Sequence, residues 1–192
     1  MLYTTYQMAE NAHACERGLK QWVEHIGGIE KLKKTDKIPL TDILDVLGLM
    51  DCLWVMGNAC NGDTKIILVK FAIACANRVL IHYEKQYPND NRPRKAIAAA
   101  QNYLLHPNQK SAAAAAAAAD TAARSAAAHT AAYFAADAAA AAATTTTAAH
   151  TAAHAAHAAA AHTAAAAYFS ADIAAAEHNW QTAKLKELLE GE

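Results

Sequence analysis

Residues 112–176 constrain the fold more than any other part of the chain. Of these 65 residues 41 are alanine, and neither glycine nor proline interrupts them. Alanine loses no rotamer entropy in a helix and blocks no backbone hydrogen bond, so the stretch is predicted to be helical and long. Its methyl groups contribute little individually: about 0.8 kcal/mol per buried CH₂, against ~1.5–3 kcal/mol for a whole Leu or Phe side chain. Many must be buried together, by long helices lying near or below the lower end of the usual ~8–10 Å spacing. Thr144, Thr145, Thr146 and Thr147 are the weakest helical point, because β-branched residues lose χ1 freedom and their hydroxyls compete for backbone groups. They are read as the turn of an antiparallel hairpin with arms at about 111–143 and 148–189. A single unbroken rod would leave its alanine face uncovered.

The tract echoes itself loosely. His129-Thr130 leads to Tyr133-Phe134 and Asp137, and His162-Thr163 leads to Tyr168-Phe169 and Asp172. The spacings are unequal, which excludes a solenoid of fixed period. The Tyr-Phe pairs are read as anchors of the hairpin. Thr121, Thr130, Thr151 and Thr163 keep no constant register, which argues against an ice-binding face.

The larger apolar residues lie upstream. Residues 3–25 read as one amphipathic helix ended by Gly27-Gly28, followed by a lysine-rich connector over 29–37 with no aromatic stacking partner. Pro39-Leu40-Thr41-Asp42 opens a second helix with Thr41 as its N-cap, carrying Leu44, Leu47, Trp54 and Met56 at helical spacing. After an Asn-Gly turn, Asp63 is placed to cap a helix over 64–86 that is apolar around most of its circumference, the pattern of a central buried helix. Arg78 within it needs a carboxylate, for which Asp51 and Glu84 are the candidates. Pro88 ends this helix, Asp90 or Asn91 caps the next, and Pro107 ends that one.

Charge and cysteines narrow the function. The formal net charge of −1 argues against a nucleic-acid partner. It is unevenly spread: residues 1–110 hold 14 basic and 11 acidic residues, residues 111–192 hold 3 and 7. The first twenty residues are mixed polar, unlike a secretory leader, and the apolar run 66–76 is short for a membrane span. A cytoplasmic protein is expected, with Cys15, Cys52, Cys60 and Cys75 as reduced core residues. His150, His154 and His157 share one helical face, and His-x₃-His is a zinc spacing, but no further ligand stands near. They are read as a polar stripe, with no metal or other cofactor. No phosphate loop, nucleophile elbow or paired carboxylates suggest catalysis.

Residues 75–104, CANRVLIHYEKQYPNDNRPRKAIAAAQNYL, resemble a signature of the alanine-rich immunity proteins found near bacterial polymorphic toxins. That signature runs Cys-Ala-x-Arg-Val-Leu, Tyr/Phe-Glu, then Tyr-Pro-x-Asp-x-Arg-Pro-Arg-x-Ala-Ile, and closes after an alanine tract on Trp-x-x-x-Arg/Lys-Leu. Trp180 to Leu185 matches the close, and the resemblance spans roughly 44–189. The tract carries His and Thr where relatives more often carry Arg, Trp or Asp. The resemblance implies a small, non-enzymatic inhibitor that neutralises a toxin or effector by direct binding. An anti-defence inhibitor on a mobile element is a close variant, and a self-associating helical scaffold is the competitor.

The expected architecture is all-α: a helical bundle over 1–106 and the alanine-rich hairpin over 107–192 packed on it as one unit. Asp90, Arg92, Arg94, Tyr133 and Tyr168 are the binding candidates; Trp54, Arg78, Glu84 and Trp180 are the structural ones. For the arginines two readings stay open. They present forked donors to an acidic partner, or they stitch the inter-helix turn to Glu84 or a helix end.

Overall fold

The computed structural model describes residues 1–125 and 171–191. Among them the chain is all-α apart from one two-stranded ribbon. The Thr144–Thr147 turn, Tyr133, Tyr168, His150, His154 and His157 lie outside the described residues.

Strand β1 (Tyr3–Thr4) pairs antiparallel with β2 (Ile38–Pro39) and ties the N-terminus across the bundle. Where one helix was expected there are two, α1 (Tyr6–Asn11) and α2 (Glu16–His25). Thr5 Oγ1 accepts the Met8 N–H at 3.1 Å and starts α1. At its end His13 adopts φ 60°, and the Ala14 N–H reaches Ala9 O at 2.9 Å. This is a Schellman closure with histidine where glycine is usual, so no glycine or proline in the sequence announces it. The end of α2 is the announced one: Gly27 and Gly28 donate to Glu24 O and Val23 O at 3.1 and 3.0 Å. The ribbon also corrects the connector, since Lys34 and Lys37 stand over the rings of Tyr6 and Tyr3 at 5.6 and 4.7 Å. Those rings arrive from the other end of the segment.

The second predicted helix is also two, α3 (Leu40–Leu47) and α4 (Leu49–Asn58). Gly48 divides them at φ 90°, ψ 178°, a backbone region that is essentially glycine's alone. Helix α3 starts at Leu40 after Pro39, so Thr41 lies inside the first turn and is no cap. The N-cap of α5 (Lys65–Gln86) is Thr64, and Asp63, one residue before it, accepts the Lys65 N–H at 2.8 Å. Leu68, Val69, Phe71, Ala72 and Cys75 are fully buried, and α5 is the central helix. By length and composition it is, among the described residues, the helix able to span a bilayer. The apolar run is therefore longer than 66–76, but neighbouring helices cover most of it, as they do a core helix.

Helix α6 (Arg92–Leu105) turns at Pro107 into α7 (Gln109–Ser125). Asn108 Oδ1 accepts the Ser111 N–H at 3.0 Å while Ser111 Oγ accepts the Asn108 N–H at 3.2 Å, a reciprocal cap. Ala96, Ala100, Ala112 and Ala115 are buried in this helix pair, where small side chains let the backbones approach. Helix α8 (Ala171–Glu190) lies on α5, α3 and α4 and buries Leu185 completely. The two described ends of the alanine-rich region thus dock on different parts of the base. Of the four free cysteines only Cys52 and Cys75 are buried; Cys15 is exposed at the start of α2 and Cys60 is half-buried in the turn after α4.

Candidate functional site

The α5–α6 corner gathers the polar residues of the signature. Proline at 88 ends the helical run, and the turn returns the chain so that Asp90 faces both helices. Asp90 Oδ1 accepts from the Arg92 N–H and Nε at 3.1 and 2.8 Å; Oδ2 accepts from Arg92 Nη2 and Tyr83 Oη, both at 2.7 Å. One carboxylate, one residue ahead of the Asn91 N-cap, therefore accepts the first N–H of α6, holds a guanidinium by its fork and fastens the end of α5. The bond to Arg92 first, then those to Tyr83 and the backbone, hold the Asp90 carboxyl well below the usual range against the opposing effect of desolvation. Alongside, Arg94 Nε and Nη2 donate to the two oxygens of Glu84 at 2.7 and 2.6 Å, which lowers the Glu84 carboxyl as well. Both arginines stay open to solvent, Arg92 at 46% and Arg94 at 63% side-chain exposure.

A second fastener joins α5 to α8. Arg78 Nε donates to Glu177 Oε2 at 2.5 Å, and its guanidinium stacks on the Trp180 ring at 4.4 Å. Glu177 and Gln181 are buried here. Burial, with the Glu177 carboxylate adding to it, pushes the Cys75 thiol up to about 12 and leaves it protonated. Lys186 on α8 pins Asp45 on α3 with both oxygens, at 2.9 and 2.6 Å.

The expected partners of Arg78 are corrected. Asp51 is held by Arg17 at 2.7 Å and Glu84 by Arg94. Glu84 stands six residues from Arg78, about 240° around the helix, and so faces away from it. Nor is Arg78 a buried guanidinium: its side chain is 42% exposed, and Glu177 is the enclosed member of the pair. Glu177 was not singled out in the sequence, although Glu177, Trp180 and Gln181 sit at i, i+3 and i+4 on one face. Trp54 is half-buried on α4 and takes part in neither fastener's hydrogen bonds or ring stack. Among the described residues no group of three or more His, Cys, Asp or Glu is placed to hold a metal.

Together these features define an all-α protein whose motif residues clasp α5 to the helices on either side of it. The chain belongs to the Imm-5 like putative immunity protein family, whose sequence model matches residues 58–188. The match takes in both fasteners and the alanine tract and leaves out most of the N-terminal bundle. No curated protein and no solved structure matches the chain.

Proposed function

We propose that the protein is a non-enzymatic inhibitor of immunity type, which neutralises a toxin or effector in the cytoplasm by binding it directly. Membership of the immunity family carries this reading. The α5–α6 corner supports it as a contact surface. Asp90 and Glu84 each occupy one edge of an arginine fork and fix its direction, which leaves further N–H donors on two solvent-exposed guanidiniums. A carboxylate or a run of carbonyl oxygens on a partner meets donors that are already oriented, so little side-chain entropy is lost on binding.

The test is co-expression with the product of the adjacent gene, scored by growth rescue and by recovery of a stoichiometric complex. Wild type should rescue, and an Arg92→Ala/Arg94→Ala double variant should lose affinity by at least about tenfold while melting cooperatively. Self-association of the purified protein without capture of any single partner would overturn the inhibitor reading.

A further inference from the structure

A cavity of about 310 Å³ lies between α2 on one side and α3 and α4 on the other. Every residue lining it falls between Thr4 and Val55, ahead of the family-matched segment. Leu19, Trp22, Ile43, Met50 and Trp54 form apolar walls, and Cys15, which is exposed, marks the mouth. Asp51 stands in the lining, with one carboxylate oxygen taken by Arg17 Nη2 at 2.7 Å.

Gly18 lines this space from the α2 side. It is buried inside α2 and is absent from the residues at positive φ, so its backbone does not require glycine. A Cβ added there meets only Cys15 Sγ, at an ordinary 3.5 Å, so crowding does not require glycine either. Glycine in a helix interior weakens the helix. The observable consequence of the missing side chain is open volume between two tryptophan-bearing walls.

We propose that this cavity binds a free small aromatic molecule of two fused or linked rings carrying one hydrogen-bond donor. An apolar cavity of about 150 Å³ takes a benzene ring, so twice that volume suits two rings. Tryptophan walls favour an aromatic face or edge over a branched chain. A carboxylate offers about four lone-pair sites, so Asp51 retains capacity for a ligand hydroxyl or N–H while holding Arg17.

The experiment titrates β-naphthol into the full-length protein, read by calorimetry and by the fluorescence of Trp22 and Trp54. The expected result is one-to-one saturable binding with Kd on the order of 10–100 µM, and severalfold weaker binding of naphthalene, which lacks the donor. Gly18→Leu fills the cavity from α2 and Met50→Trp fills it from α4. Each should weaken binding by about tenfold or more with a cooperative melt retained, so the outcome does not hang on one variant's folding. An absence of saturable binding, or an unchanged Kd in both filled variants, would falsify the assignment. N-acetyl-tryptophanamide binding about tenfold tighter than β-naphthol would overturn it too, reassigning the cavity to a partner's aromatic side chain.

Discussion

Arg94 and Arg78 each hold a glutamate, but in opposite surroundings. Arg94 is 63% exposed and its partner Glu84 lies ten residues away; Arg78 reaches Glu177 across 99 residues, and Glu177 is only 11% exposed. The Arg94 pair has ideal bidentate geometry, yet water competes with it. The Arg78 pair is single-pronged, but its carboxylate has little access to water once the guanidinium is gone. Geometry alone is therefore a poor guide to what an ion pair contributes. The corner is open to solvent and cheap to disturb, whereas the α5–α8 clasp encloses its carboxylate.

Arg78→Ala should break the clasp most severely. It strands a mostly enclosed carboxylate and removes the stack on Trp180. Because Arg78 is partly exposed, the cost should fall between that of exposed and buried pairs, about 2–4 kcal/mol by denaturant unfolding. Glu177→Gln, which leaves a half-exposed guanidinium able to find water, should cost roughly half as much. Equal costs would show that the enclosed carboxylate is not what distinguishes this site.

Asp90→Ala comes next. It removes the acceptor of the first α6 N–H and of the Tyr83 hydroxyl, and should cost about 1 kcal/mol. Smallest is Arg94→Ala, for which the melting temperature should scarcely move; a large drop with unchanged partner affinity would turn the corner into a second structural clasp. Acid sharpens the same contrast. The Asp90 and Glu84 carboxyls are lowered in the folded chain from ordinary values of 3.8 and 4.5. Their contribution is therefore complete above that range and is lost as the pH falls below it toward their folded values. Stability should decline below about pH 4.5 in wild type and less steeply in an Asp90→Asn/Glu84→Gln double variant, measured by unfolding at fixed temperature.

The corner was largely legible in the sequence because its partners are close in the chain. Arg92 and Arg94 follow a proline-bounded turn, and Glu84 stands two residues before the end of α5, so a short connection had few other places to put them. The α5–α8 clasp was half legible. Arg78 in an apolar helix signals a need for a carboxylate, but nothing local names an acid 99 residues away. The N-terminal breaks were hidden for another reason. His13 occupies a left-handed position that glycine normally signals, and Gly48 interrupts an apolar periodicity that continues on both sides.

Helix type, the central role of α5, the Asp63 acceptor at its start and the Gly27-Gly28 stop were determined by the sequence alone, because each follows from backbone chemistry within a few residues. Tertiary structure decided which carboxylate meets Arg78, that lysines cover Tyr3 and Tyr6, and that Gly18 lines an apolar cavity with Trp22 and Trp54. Those outcomes depend on which helix faces are brought together, and a helix face acquires its neighbours only when distant segments pack.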